Sequence, residues 1–265
     1  MIRWIVTDLD GTLVGRDLAM VPAGREALRR FLAAGGRVVL ATGRMESSAR
    51  RYYDELGLSG PAILYNGART ADLATGAVLR SRHLPVAAWK ALLALFAGPP
   101  DGAYPVGFCG GEAWAVHDVP ELREYARRDG IALRHPGHWT ALPPDRITKC
   151  MLIGSRPAAP DIPGTVTTRS EATYLEILPA GATKGAALRA LAAAEGVPLE
   201  EVAAVGDNPN DLDMIAAAGL GVAVGDGHPD VRAAAGTVVR SCADGAVADV
   251  VDLAFQANGW ATSGR

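Results

Sequence analysis

Trp4-Ile5-Val6 form a short apolar run without helical spacing, interrupted by Asp8 and Asp10 and then by Gly11. β-formers in that arrangement predict a buried central strand whose carboxyl end presents Asp8. Pro22 stands where a helix can begin, Ala27, Leu28, Phe31 and Leu32 supply its apolar stripe, and Gly35-Gly36 ends it. Arg37 to Ala41 predicts a second buried strand closed by Thr42-Gly43-Arg44, and the segment from Met45 to Leu56 has helical spacing. Pro61 to Tyr65 predicts a third strand, closed by Asn66-Gly67. Strands and helices alternating in this order predict a parallel sheet with right-handed crossovers.

From Ala68 the pattern changes. Ala68 to Asp72 and Ala77 to Arg82, on either side of Thr75-Gly76, predict a hairpin leading away from the core. Residues 83–179 then read as a separate α+β insert. Its predicted helices are Val86 to Phe96 and Pro120 to Arg128; its strands are Tyr104 to Cys109, Glu112 to His117, Ile147 to Ile153, Thr165 to Arg169 and Thr173 to Leu178. Pro157, Pro160 and Pro163 forbid a regular helix between Gly154 and Gly164. The alternation resumes with an alanine-rich helix from Lys184 to Glu195 and a strand, Val202 to Val205, ending in Gly206-Asp207. Helices around Asp211 to Ala218, Pro229 to Ala235 and Ala246 to Phe255 interleave with strands Leu220 to Val224 and Thr237 to Val239. The expected fold is α/β, with a doubly wound parallel-sheet core of residues 1–82 and 180–265 and an inserted α+β domain of residues 83–179. The tail from Asn258 has little to pack and is expected to be mobile.

Composition narrows the function classes. A chain of 265 residues with 49% hydrophobic and 21% charged residues suits a globular protein with a substantial core. A formal net charge of -3 offers no basic footprint for nucleic acid and no polybasic membrane patch. Asp8 breaks the first apolar run far short of a signal peptide's apolar region, and no uncharged run approaches the roughly 18 residues of a membrane span. A cytoplasmic location is therefore expected. Cys109, Cys150 and Cys242 lack paired spacing and read as small buried hydrophobes rather than a disulfide or zinc set. His135-Pro136-Gly137-His138 reads as surface loop, because proline and glycine spoil a helical metal pair.

Side chains alternate along a strand, so Asp8 and Asp10 would share one face if the strand persisted. At about 4 Å and an effective dielectric of about 20, two carboxylates repel by roughly 4 kcal/mol, so a cation is expected beside them. Mg2+ is the natural candidate, being a hard ion that takes oxygen ligands and keeps positions open for water and phosphate. Asp8, Thr42 and Asp207 each stand at the carboxyl end of a predicted parallel strand, the edge where open α/β sheets bind ligands.

Four motifs fall in order: Asp8-Leu9-Asp10-Gly11-Thr12, Thr42-Gly43-Arg44, Lys184-Gly185 and Gly206-Asp207-Asn208-Pro209-Asn210-Asp211. Together they resemble the four motifs of the haloacid dehalogenase superfamily of phosphotransferases. Asn66-Gly67-Ala68, Leu175-Glu176-Ile177 ahead of Pro179 and Gly181, and Asp211 three residues before Met214 resemble its Cof-type branch, with a subfamily IIB cap between the second and third motifs. The resemblance covers nearly the whole chain and is sparser within the cap. Two features depart from it: the proline-rich Gly154 to Gly164 segment where a second cap helix is usual, and His228-Pro229 after Gly225.

The resemblance implies a Mg2+-dependent phosphatase acting on a small phosphorylated metabolite, a sugar phosphate or related monoester, through an aspartyl-phosphate. Asp8 would be the nucleophile and Asp10 the general acid and base. Mg2+ would be held by the Asp8 carboxylate, the Asp10 backbone oxygen and Asp207, with Asp211 behind them. Thr42, Gly43, Arg44, Asn66, Lys184 and Asn210 would bind phosphate or substrate, and the insert would act as a lid. Lysine at a helix amino terminus opposes the helix dipole, so an anion is expected beside Lys184. Arg44 could instead pair with a core carboxylate, Asn66-Gly67 could be a plain turn, and Glu176 could face substrate or solvent. A phosphomutase or phosphotransferase would use the same aspartates. A signalling module would use Asp8 only as phospho-acceptor, against which stand Asp10 and the insert. The expected partner is a small molecule, not nucleic acid or membrane, and the expected state a monomer or small homo-oligomer.

Overall fold

The structure, a computed structural model, describes residues 1–99, 102–154, 158–171 and 173–261. The core opens with β1 (Trp4–Thr7), α1 (Pro22–Ala33), β2 (Arg37–Leu40), α2 (Glu46–Leu56), β3 (Pro61–Leu64), β4 (Arg69–Asp72) and β5 (Val78–Ser81). The insert contributes α3 (Val86–Ala97), β6 (Ala103–Cys109), β7 (Glu112–Trp114), α4 (Pro120–Asp129), β8 (Leu133–Arg134), β9 (Ile147–Gly154), β10 (Thr165–Glu171) and β11 (Tyr174–Pro179). The core closes with α5 (Lys184–Ala194), β12 (Val202–Gly206), α6 (Leu212–Ala217), β13 (Leu220–Ala223), α7 (Pro229–Ala234), β14 (Thr237–Val238) and α8 (Ala246–Asn258).

The main sheet has the order β14-β13-β12-β1-β2, with every pair parallel. Ile5, Val38, Leu40, Ala203 and Val205 pack with Leu28 and Phe31 of α1, Tyr52 of α2 and Val250 of α8. Their neighbours Trp4, Val6, Val39, Val202 and Ala204 face the other way, onto Ala187, Leu188 and Leu191 of α5 and Met214 of α6. Helices on both faces are why these strands read as unbroken apolar runs. The chain leaves β1 towards β2 on one side, and β12 occupies the other, so the crevice of the doubly wound sheet opens between β1 and β12. The residues that follow these two strands are Asp8 and Asp207.

The insert is a six-stranded sheet of order β10-β11-β9-β6-β7-β8, antiparallel except between β7 and β8. Cys150, Leu152, Leu175 and Ile177 pack with Trp89, Leu92 and Phe96 of α3. Val106, Phe108 and Met151 join the cluster that continues into the core. Tyr65 of the core meets Phe108 of the insert edge to face, with ring centroids 5.9 Å apart.

Two expectations are corrected. The hairpin of β4 and β5 does not leave the core: β4 pairs antiparallel with β3, which touches the parallel sheet through the Ala41–Ile63 bridge, and Arg69 to Ala71 are buried. The tail is anchored as far as it is described, because Asn258 bonds both backbone polar groups of Ile2, at 2.5 and 2.8 Å, and Trp260 packs on Phe31 and Phe255. Residues 262–265 lie outside the described residues. The two-residue strand β8 is too short to leave a periodic signal. Of the proline-rich segment, residues 158–164 form no helix, as expected, and Pro157 lies outside the described residues.

The core closes tightly where the chain returns from the insert. Gly67 has φ +93, and a Cβ there would lie 2.1 Å from the Thr183 carbonyl oxygen. Gly57 has φ +65 with open space around it. Gly57→Ala is expected to cost roughly 1 kcal/mol through left-handed backbone alone, and Gly67→Ala at least about 2 kcal/mol more through the added clash. Urea unfolding of the two variants measures the difference, and equal losses would contradict it.

Candidate active site

The crevice gathers residues from distant parts of the chain. Asp8 leaves β1 with its amide still bonded to the Val205 carbonyl at 3.0 Å, which keeps it level with the end of β12. Thr183 caps α5, its hydroxyl accepting the Ala186 amide at 3.1 Å, and so sets Lys184 in the first turn. Lys184 Nζ lies 2.7 Å from Asp8 Oδ1 and 2.6 Å from Asp211 Oδ1. Asp211 Oδ2 accepts the amides of Asp207 and Asn208, both at 3.0 Å. Asp207 accepts from the Thr12 hydroxyl and from Asn208 Nδ2, both at 2.8 Å.

Three carboxylates and one ammonium leave this buried centre short of positive charge. Burial drives the Asp8 carboxyl well above its ordinary range; Lys184 opposes that shift, while Asp211, Asp207 and Asp10 reinforce it. Asp207 is pushed up to about 7, by burial first and then by Asp211, against the Thr12 hydrogen bond and Lys184. Burial works against the Lys184 charge, but Asp211 and Asp8 outweigh it and hold the ammonium raised. One oxygen from each of Asp8, Asp207 and Asp211 lies within 4.8 Å of the others. Oxygen donors in an under-neutralised cluster fit a hard divalent cation. Asp8 and Asp207 are the better ligands of the three, because Asp211 already serves Lys184 and two amides.

Arg44 pairs with a carboxylate and also lines the cleft. It grips Asp10 with two bonds, of 2.8 and 2.7 Å, donates to Ser48 at 2.6 Å and lies 3.4 Å from Asp129 of the insert. Thr42 is fully buried beneath the loop, its hydroxyl accepting the Arg44 amide at 3.1 Å, so Gly43 and Arg44 are the residues of that motif that line the cleft. The anion expected beside Lys184 is supplied by the protein itself, in Asp8 and Asp211. Asn66 is buried, and its amide joins Glu176 at 3.0 Å to Asn210 at 2.9 Å. Tyr65 and Asn66 hold left-handed backbone, φ 49 and 53, a strain of roughly 1–2 kcal/mol each offset by amide bonds to the carbonyls of Arg44 and Thr42. Asn210 does line the cleft, and its Oδ1 is buried without a hydrogen-bond partner among the described residues.

A cleft open at its mouth lies between core and insert, with Asp8, Asp10, Gly43, Arg44, Asn208 and Asn210 on one side. The insert supplies Tyr125, Arg128, Asp129, Lys149, Met151, Ser170, Tyr174 and Glu176 to the other. Glu176 thus faces the cleft rather than solvent. Lys149 escaped the sequence reading although it left a signal, a single lysine in the apolar run Ile147 to Ile153. His228 packs behind the fourth motif: its amide bonds the Asp207 carbonyl at 2.7 Å and its ring caps α7.

A family profile described as haloacid dehalogenase-like hydrolase matches residues 5–132 and 146–251. YxeH of Bacillus subtilis (strain 168), whose name proposes phosphatase activity, is 30% identical over 269 residues, covering 95% of this chain and 97% of YxeH. Pyridoxal phosphate phosphatase YbhA of Escherichia coli (strain K12) is 29% identical, covering 89% of this chain and 93% of its own. A solved haloacid dehalogenase-like hydrolase from Bacteroides thetaiotaomicron superposes with a TM-score of 0.83 at 26% identity, covering 96% of this chain and 99% of that one. No helix among the described residues is long and apolar enough to cross a membrane.

The raised carboxyls set a pH dependence. Asp207, ordinarily at 3.8 and here at about 7, binds its proton more tightly folded than unfolded, and Asp8 shifts in the same direction. Without a cation, the protein is therefore expected to lose stability as pH rises from about 4 through about 7. Below about pH 7 a divalent cation must displace a proton, so its affinity should fall by up to about tenfold per pH unit. Calorimetric titration in buffers of different ionisation enthalpy reads the proton release, and an affinity indifferent to pH would contradict the assignment.

Proposed function

The chain belongs to the haloacid dehalogenase-like hydrolases, in their Cof-type branch, and from that premise we propose that it is a Mg2+-dependent phosphatase of a small phosphorylated metabolite, acting through an aspartyl-phosphate on Asp8. The observation that carries this reading is the state of Asp8. One of its oxygens is held by Lys184 at 2.7 Å, while the residue borders the cleft and its second oxygen has no hydrogen bond among the described residues. That leaves an oriented, partly neutralised carboxylate at the border of the space a phosphate ester would enter.

In the first half-reaction Asp8 attacks phosphorus, the bond to the leaving oxygen breaks, and Asp10 protonates the departing alcohol. In the second, Asp10 takes a proton from a water that attacks the acyl-phosphate, releasing inorganic phosphate and restoring Asp8. Arg44 holds Asp10 by both oxygens and so fixes its orientation at the cleft. Asp8, the Asp10 backbone oxygen and Asp207, with Asp211 behind them, would hold Mg2+, which would supply the positive charge that lets one anion approach another. Thr42, Gly43 and Arg44 are assigned to the phosphoryl oxygens, and the insert to the leaving group. The polar lining of the cleft, including Lys149, Glu176 and Arg128, favours a hydroxylated leaving group such as a sugar. YbhA, named for pyridoxal phosphate, supports a substrate of comparable size.

A panel of phosphorylated metabolites assayed for phosphate release, with and without Mg2+, tests the reading. Asp8→Asn is expected to abolish release, and Asp10→Asn to slow it by roughly 10²- to 10⁴-fold, the usual weight of a general acid and base. Release by Asp8→Asn at the wild-type rate would remove Asp8 as nucleophile. Transfer to a sugar without release of phosphate would make the enzyme a phosphotransferase.

A further inference from the structure

Two charged side chains of the insert are buried against the loop that follows β2, and neither takes part in the two half-reactions. Lys149 of β9 donates to the Gly43 carbonyl at 3.0 Å and to Glu176 Oε2 of β11 at 3.0 Å. The two side chains are 4% and 3% exposed. Stability alone is a weak reason for them, since replacing a buried ion pair by apolar residues of similar volume is often neutral or stabilising.

Their bonds form a path. Glu176 Oε2 also accepts from Asn66, and Asn66 accepts from Asn210, so hydrogen bonds run from the loop after β2, through the insert, to the loop after β12. Asp129 reaches Arg44 of the same loop at 3.4 Å. The peptide joining Gly43 to Arg44 is thereby fixed at both polar atoms, its carbonyl by Lys149 and its amide by the Thr42 hydroxyl. The Thr42 hydroxyl accepts that amide and so keeps its own proton to donate. Without Lys149 the Gly43 carbonyl would lose its partner, and the peptide would be free to tilt away from this arrangement.

We propose that Lys149, steadied by Glu176, is a positioning residue through which the insert sets the Thr42–Arg44 loop for the phosphoryl group. The inference rests on the phosphatase reading for the identity of the anion, and it gives the insert a hand in phosphate binding besides any choice of leaving group.

Inorganic phosphate is the discriminating probe, because it has no leaving group. Its affinity for Mg2+-saturated protein is measured by calorimetry, together with the affinity for Mg2+ and with kcat and KM on a working ester. Lys149→Met and Lys149→Met/Glu176→Gln, the second leaving no unpaired buried charge, are each expected to weaken phosphate binding roughly ten- to a hundredfold, the weight of a hydrogen bond to a charged group. Mg2+ affinity should hold, and Lys149→Arg should restore part of the loss. Unchanged phosphate affinity with a raised KM for the ester would overturn the proposal in favour of a leaving-group contact. Loss of Mg2+ and phosphate binding together would overturn it too, since Lys149 would then be supporting the whole site. A wild type that releases phosphate from no ester, yet binds phosphate in a Lys149-dependent way, would sink the phosphatase reading and leave the loop proposal standing.

Discussion

One buried ammonium organises the site. Lys184 is fully enclosed and bonded to Asp8 and Asp211, and it is the positive charge that lets three carboxylates share the end of the β1–β12 crevice. Removing one partner from such an arrangement strands the others, which is why buried ion pairs tolerate single changes poorly. Much of the surrounding structure serves to place that nitrogen. Thr183 caps the helix that carries it, and Gly67 leaves room for the Thr183 carbonyl. Asp211 is fixed from behind by two backbone amides. Even so, Lys184 does not fully neutralise the cluster, as the raised carboxyls of Asp8 and Asp207 record. The remaining deficit of charge is what a divalent cation and the chemistry at phosphorus can use.

The insert meets this centre with a sheet of two characters. Along β9 and β11 the alternation of side chains sends Cys150, Leu152, Leu175 and Ile177 under α3, and Lys149, Met151, Tyr174 and Glu176 to the cleft. A period of two thus separates the part of the insert that holds itself together from the part that faces the cleft. The polar residues on the cleft side bond to core residues, so the insert and the loop after β2 share one hydrogen-bonded surface.

The architecture was legible because parallel strands covered on both faces leave apolar runs that few other elements produce, and because four motifs followed those runs in order. What pairs with what was less legible. That Arg44 meets Asp10 at 2.7 Å is set by loop geometry rather than by residue type. Asn66 bonds Glu176 and Asn210 from a left-handed backbone, which the Asn-Gly pair permits without dictating. Trp260 was assigned to a loose tail because its partners, Phe31 and Phe255, are brought to it only by the packing of α1 on α8. Lys149 differs from these: a lysine alone in an apolar strand carries a burial cost that needs a partner, and that was visible in the sequence.

The central claim is that Asp8 carries phosphorus during turnover. Acid-quenched enzyme taken from steady turnover of a working ester can be reduced with borohydride, which converts an acyl-phosphate to the alcohol, and then mapped by peptide mass spectrometry. The account predicts homoserine at position 8 and unmodified aspartate at 10 and 207. Homoserine at another position, or none while phosphate is being released, would contradict it.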